Sequence, residues 1–391
     1  MAGSQTALRE ANRATVVDTI RRYGGLTQVE LAATTGLSAA TVSNIVRELQ
    51  GAGEVDVRAT IHNGRRAMLV TMVHRTGVAA GVHVGTRHMS ITLADSAHQV
   101  LVEQALPLPH EHRADTSLDR AALLLVELLE RVGSSLTELL GIGIGLPAPV
   151  DAATGAVSVP GILRGWDDAP VAQVMAKRLG VPVFVDNDAN LGALAESRLG
   201  AARQFQDSVY VRASHGTGAG VSLNKNLHRG FAGTAGEIGH VQVDAAGVVC
   251  LCGSRGCLNT VVGAPALIEV LRASRGSLTL RDIVALAQDG DPGCRQVVED
   301  AGATIGAVVA GLAIAVNPQC VVVGGELAET GELLIGPMRE AIRRRVPLNH
   351  LAPLEVVAAE LGPRAEVMGA VLLVLENTRA TTHWFDRPDG D

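Results

Sequence analysis

The spacing of apolar residues changes period twice along the chain, and each change marks a new kind of structure. Over residues 8–23 Leu8, Val16, Val17 and Ile20 recur on one face at helical spacing, and Gly24-Gly25 stops the pattern. Thr27 with Glu30 three residues on predicts a capping box for a short helix through Thr34. Gly36 supplies a turn, and Ser38 caps a second helix to about Gln50. Ala32, Gly36 and Val42 stand where a helix-turn-helix needs a small residue, a turn and an anchor. The second helix turns Leu37, Val42, Ile45, Val46 and Leu49 inward. It leaves Ser38, Ala39, Ala40, Thr41, Ser43, Asn44 and Arg47 outside, a small polar face that suits a DNA major groove. The segment from Val55 to Thr71 then predicts a β-hairpin turning at Asn63-Gly64, with Arg65 and Arg66 placed to reach phosphate or a minor groove. Together these elements predict a winged helix-turn-helix over residues 1–75. A three-helix protein-interaction module is the rival, and the two arginines at the hairpin tip weigh against it.

Residues 72–78 join this unit to a body spanning 78–391, where glycine-punctuated apolar strands take over. Strands are predicted at G-V-A-A-G-V-H-V-G-T, at M-S-I-T-L-A-D and near Val100–Ala105, then a helix at Asp119–Gly133. G-I-G-I-G-L-P-A-P-V-D reads as a buried strand ending in a loop, and P-V-F-V-D-N-D-A-N as a strand turning into a helix at Asn187-Asp188. S-V-Y-V-R-A-S-H-G-T-G-A-G-V-S-L reads as a hairpin around a glycine-rich turn. Helices are predicted at Ala264–Arg275, Leu280–Gln288, Pro292–Asn317, Leu333–Arg345 and Glu366–Arg379, with a buried strand at Q-C-V-V-V-G-G-E. Strands alternating with helices imply an α/β sheet.

Composition narrows the class. The 391 residues are 47% hydrophobic and 19% charged, enough to bury a large core in two to three domains. Aromatics are only 2%, so that core is built from Ala, Val, Leu and Ile. No signal-peptide pattern opens the chain, and no apolar run long enough for a membrane helix escapes interruption by Gly, Pro or charge. The expectation is a cytoplasmic protein without membrane insertion. The net charge of -7 is uneven: residues 1–75 hold nine Lys/Arg against six Asp/Glu, and the remainder holds 24 against 34. A basic end on an acidic body points to a nucleic-acid contact confined to that end.

Three of the five cysteines, Cys250, Cys252 and Cys257, fall within eight residues, and His240 lies ten residues before the first. Three thiols and an imidazole make a closed tetrahedral set of the structural zinc kind, stapling a loop over 240–257. The alternatives are a reduced buried thiol cluster or a disulfide.

Several blocks resemble the ROK family, which unites bacterial sugar kinases with sugar-responsive repressors. They are G-E-I-G-H followed by C-x-C-G-x-x-G-C, then G-I-G-I-G-L-P-A-P-V-D, V-D-N-D-A-N and H-G-T-G-A-G-V. The similarity covers about residues 78–380. It implies an α/β, actin-like body of two subdomains with ribonuclease H-like halves and a cleft between them. It implies that Asn187 and Asp188 match the family's sugar-binding and general-base pair; a carboxylate there fits a sugar-binding protein equally well, and a plain helix cap is the rival for Asp188. It also implies that Glu237, His240 and Asn259 face the sugar, with His240 serving the metal too. The region Pro160–Trp166 adds sugar contacts in the family, but its match is too loose to carry any residue over.

Two departures matter. The family's phosphate block D-x-G-G-T-K is matched here by His83, Val84, Gly85, Thr86, Arg87 and His88. Losing the Asp removes a magnesium ligand, and Thr86 fills the place of a glycine that lets phosphate approach the backbone. Asn259 stands where the family's enzymes and many of its repressors carry a sugar-bonding Glu, so the sugar specificity is expected to differ. The expectation is a non-enzyme: a repressor whose winged helix binds an inverted-repeat operator as a homodimer or homotetramer, controlled by a sugar, with structural zinc. The alternative is an ATP-dependent sugar kinase with an added DNA-binding domain.

Overall fold

The computed structural model describes residues 2–62, 65–73, 77–109, 111–151, 154–159, 161–167, 169–346 and 354–385. The N-terminal head runs α1 (Ala2–Tyr23), β1 (Leu26–Thr27), α2 (Gln28–Thr35), α3 (Ala39–Gly51), β2 (Val55–His62) and β3 (Arg65–Met72). The expected capping box is present: the Thr27 hydroxyl accepts from Glu30 N, and Thr27 N donates to Glu30 Oε2 at 2.7 Å. Gly36 ends α2 in the left-handed region at φ 70°, where a side chain would be strained. β2 and β3 pair antiparallel from Val55↔Met72 to His62↔Arg65. The wing is therefore a hairpin, while its tip at Asn63-Gly64 and the Arg65 side chain lie outside the described residues. α1 begins earlier than the apolar spacing predicts, and Leu8 is 62% exposed while Val16, Val17 and Ile20 are buried. The first turns of α1 carry no apolar stripe, so periodicity could not reveal them.

The body contains two five-stranded sheets of the same topology. The first comprises β4 (Val78–Val84), β5 (His88–Asp95), β6 (Val100–Pro107), β7 (Leu139–Leu146) and β8 (Val183–Asn187), ordered β6-β5-β4-β7-β8. The second comprises β9 (Ser208–Ala213), β10 (Thr217–Leu223), β11 (Asn226–His228), β12 (Cys320–Gly324) and β13 (Glu355–Ala358), ordered β11-β10-β9-β12-β13. In each, three antiparallel strands are extended by two parallel ones. Two halves of one pattern make the bilobal α/β body that the resemblance implies.

α4 (Ala114–Arg131) and α5 (Val171–Leu179) cover the first sheet, where Val82, Ile91, Ile144, Leu118, Leu125 and Met175 form a dry core. α5 was not legible from the sequence. The second sheet packs on α7 (Asn259–Val262), α8 (Ala264–Arg275), α9 (Leu280–Gln288), α10 (Pro292–Val316) and α11 (Glu332–Arg345). α10 is long and apolar enough by composition to cross a membrane, but half of it is buried. Its Gly302 and Gly306 press against the backbone of α11 at Leu334 and Met338.

Between the sheets lie α6 (Asp188–Leu199) and α12 (Ala365–Phe385). α12 closes on the first sheet through Gly81 and Gly143, where a Cβ would collide with the carbonyls of Val367 and Ala370. α6 closes on the second sheet through Gly220, against the Ala189 carbonyl. The two helices meet at Gly369, which touches the Leu191 carbonyl. Glycine is required at these points because backbones approach within the volume of a side chain.

Candidate effector cleft, metal cluster and DNA-facing helix

α6 starts at the end of β8 because Asn187 caps it. The Asn187 Oδ1 accepts from Ala189 N at 2.8 Å and Asn190 N at 3.2 Å, and its Nδ2 donates to Ala148 O at 3.0 Å. The cap is thus Asn187 and not Asp188, and the Asn187 carboxamide is held by its own chain. Asp188 is the first helical residue, where its charge meets the positive end of the helix dipole.

Asp188 is 4% exposed, and its partner is Arg212 on β9, whose Nε lies 3.3 Å from Oδ2. Arg212 also donates to Glu366 Oε1 at 3.0 Å, and Tyr210 Oη donates to the same oxygen at 3.1 Å. Burial alone would raise the Asp188 carboxyl; the Arg212 charge and His83 outweigh it and hold it below the usual range. Sequence reasoning missed Arg212, Tyr210 and Glu366. The available signal was a lone Arg inside an apolar strand, with Tyr210 and Arg212 two apart on one face.

The segment 83–88 forms a closed turn. Gly85 N donates to His88 O at 2.9 Å, and the Gly85 carbonyl is held by His112 Nε2 at 3.1 Å. His83 is buried with Nε2 3.7 Å from Asp188 Oδ2. On the second half, His215 Nδ1 lies 3.3 Å from Glu326 Oε2. Burial, then the neighbouring His83, push His88 down to about 4, so its ring is neutral at pH 7. The His83 and His88 rings stand edge to face, with centroids 5.7 Å apart. Trp166 is fully buried and donates through Nε1 to His112 O at 3.3 Å, so it belongs to the core of the first half.

Glu237 caps a single 3-10 turn at Ile238–His240 and sits half-buried with Oε2 3.9 Å from His240 Nε2. Burial, then the Asp188 charge, raise the Glu237 carboxyl to about 7. Asn259 opens α7, and its Oδ1 accepts from Thr217 N at 2.7 Å. A Cβ on Gly239 would collide with its amide. Asn259 therefore ties the glycine turn of β9–β10 to the segment bearing Glu237 and His240.

The metal candidates come together. The ligand atoms of His240, Cys250, Cys252 and Cys257 all lie within 4.8 Å of one another. His240 Nδ1 is 3.6 Å from Cys250 Sγ, and Cys252 Sγ is 3.7 Å from Cys257 Sγ. A tetrahedral zinc with Zn–S bonds of about 2.3 Å separates its sulfurs by roughly 3.8 Å. The residues present can thus hold a metal ion of that kind. None of the five cysteines is disulfide-bonded in this arrangement.

In the head, Ser38 caps α3 by accepting from Thr41 N at 3.1 Å, and the two hydroxyls lie 2.8 Å apart. Ala39, Asn44 and Arg47 are exposed, Thr41 and Ser43 half-exposed, and Arg47 donates to Asn44 Oδ1 at 3.2 Å. Arg66 is exposed on the wing. The face expected to meet DNA is open to solvent.

Residues 79–377 match the ROK family model, three quarters of the chain. The chain belongs to the ROK family. Residues 10–66 match the MarR family model. The ROK chain is 32% identical over 388 residues to the DNA-binding transcriptional dual regulator NagC of Escherichia coli, covering 95% of this chain and 94% of that one. It is 28% identical to the xylose repressor of Caldicellulosiruptor bescii, over 96% of this chain and 98% of the relative. Among solved structures it resembles a ROK family transcriptional regulator described as a homologue of the E. coli MLC protein. That match has a TM-score of 0.71 and 24% identity, over 95% of this chain and 98% of that one. A ROK family glucokinase from Streptomyces griseus aligns with a TM-score of 0.69 and 28% identity, over 76% of this chain and 99% of the enzyme. Similarity to the repressors thus runs nearly the full length, head included.

Proposed function

We propose that this chain is a sugar-responsive transcriptional repressor with a non-catalytic kinase-like body. The winged helix binds operator DNA, with Ser38, Ala39, Thr41, Ser43, Asn44 and Arg47 in a major groove and Arg65 and Arg66 of the wing on the backbone or minor groove. A sugar enters the cleft and meets Asp188, Glu237, His240 and Asn259, while Asn187 holds the head of α6 in place. Carboxylates and an imidazole suit the paired donors and acceptors of vicinal hydroxyls. Zinc binds His240, Cys250, Cys252 and Cys257, orders the loop and fixes His240 beside the sugar. The protein works in the cytoplasm as a homodimer or homotetramer, so its operator is an inverted repeat. The full-length likeness to repressors named for xylose and N-acetylglucosamine supports a sugar as effector.

The observation that favours a regulator over a kinase is the Asp188–Arg212 pair at 3.3 Å. A general base must take a proton from the attacking hydroxyl, and a carboxylate pinned by a buried guanidinium is a weak base. The turn at Gly85–His88 satisfies its own backbone, which leaves that N–H unavailable to phosphate. A direct test titrates operator DNA with the full chain across a panel of sugars and sugar phosphates, with and without ATP and magnesium. A sugar-dependent change in affinity without turnover supports the reading. DNA binding indifferent to every sugar counts against it.

A further inference from the structure

We infer that α6 and α12 form a two-helix link carrying the state of the cleft to the DNA-binding head, with Arg198, Glu376 and Tyr23 as its coupling residues. This rests on the regulator reading above for its purpose but not for its test. At the cleft end, Arg212 binds both Asp188, the first residue of α6, and Glu366, in the first turn of α12. Farther along, Leu191 meets Gly369. At the far end, Arg198 of α6, only 1% exposed, donates through Nε to Glu376 of α12 at 2.9 Å. These pairings advance together along both helices, so the helices run in the same direction and are tied by ion pairs at both ends.

The far end is where the head is seated. Tyr23, the last residue of α1, is buried in the core of the head, and its ring lies under the Arg198 guanidinium, 5.6 Å from centroid to Cζ. Lys225 Nζ lies 5.9 Å from the same centroid. Arg22 reaches Glu376 at 3.6 Å and Asn226 Oδ1 at 3.1 Å. Arg203, just beyond α6, donates to the Gly25 carbonyl between α1 and β1. One buried arginine therefore belongs to α6, to the α12 ion pair and to the head contact at once. α6 packs mainly on the second sheet through Gly220 and α12 mainly on the first through Gly81 and Gly143, so a change in the angle between the two halves acts on the seam between these helices. A helix of 12 residues spans roughly 18 Å and transmits such a displacement nearly rigidly. Coupling through a continuous packed element with ion pairs at each end needs no direct contact between sugar and head.

The test is amide hydrogen exchange on the full zinc-loaded chain, without sugar or DNA, comparing Asp188→Asn, Glu376→Gln and the double variant. Asp188→Asn removes only the charge at the cleft end. We expect it to raise exchange in residues 22–30 at least threefold, and the double variant to exceed neither single variant appreciably. Unchanged protection at 22–30 beside loosened protection around the cleft overturns the link, as do effects that simply multiply. If Asp188→Asn does not fold, Arg212→Lys perturbs the same end with the same expected pattern. A chain that ignores DNA would defeat the regulator reading and leave this result standing, so the two failures are distinguishable.

Discussion

Arg212 Nε lies 3.3 Å from Asp188 Oδ2, and that pair decides how the cleft behaves. The guanidinium is shared with Glu366 at 3.0 Å, so one buried cation balances two buried carboxylates. Removing it strands both anions in a low-dielectric site. Arg212→Met is expected to destabilise the body by about 3–5 kcal/mol, measured as a loss of denaturant resistance. Adding Asp188→Asn to that variant should recover part of the loss, because one stranded charge is then gone.

The metal cluster predicts one zinc per chain by elemental analysis. Cys257→Ser should abolish it, since Cys257 is fully buried among the other three ligands. Chelation should abolish the sugar response before it melts the head, whose core of Val16, Ile20, Leu31, Val42 and Leu49 contains no ligand. A sugar response that survives complete zinc removal would refute the coupling of His240 to both sites.

On the recognition helix, Asn44→Ala and Arg47→Ala should each weaken operator binding by about 1–3 kcal/mol without altering sugar binding. Arg66→Ala should weaken binding to all sequences alike and reduce the salt slope by about one. Fluorescence anisotropy across a salt series separates the two behaviours.

The head–body contact should depend on pH through Lys225. Burial first, then Arg198, Arg203 and Arg22, lower its amine from an ordinary 10.5 to about 8. When the head is seated, the charged form is disfavoured; when it is released, the amine regains protons. Only Arg22 and the head's share of the burial leave on release, so the released amine holds its proton to a higher pH than the seated one, and seating strengthens as pH rises above about 8. Limited proteolysis near residues 24–26 should slow from pH 7.5 to 9.5, and Lys225→Met should flatten the trend.

Much of this arrangement is legible in the sequence because it is local. The Thr27–Glu30 box, the Gly36 turn and the Cys250–Cys257 loop each depend on spacings of a few residues, and helices at Ala264–Arg275 and Leu280–Gln288 appear within the bounds their apolar periodicity predicts. The four metal candidates converge because the short turn at Ile238–His240 hands over to a loop pinned by Leu258 N on Val241 O. What escapes notice is long-range. Arg212 finds Glu366 across 154 residues and Arg198 finds Glu376 across 178, and no periodicity reports such pairs. Asn187, not Asp188, caps α6, because capping depends on where the strand ends. β13 is four residues long, too short for alternation to declare it.

The central claim is that a sugar in the cleft governs DNA binding and is not consumed. The most direct measurement is the affinity of the full chain for operator DNA, titrated with each sugar of the panel and repeated with Glu237→Ala. One sugar is expected to shift the affinity at least tenfold, ATP and magnesium to add nothing, and Glu237→Ala to abolish the shift while leaving sugar-free DNA binding in place. Phosphorylation of a sugar that disappears with Asp188→Asn, or a shift that persists in Glu237→Ala, would contradict it.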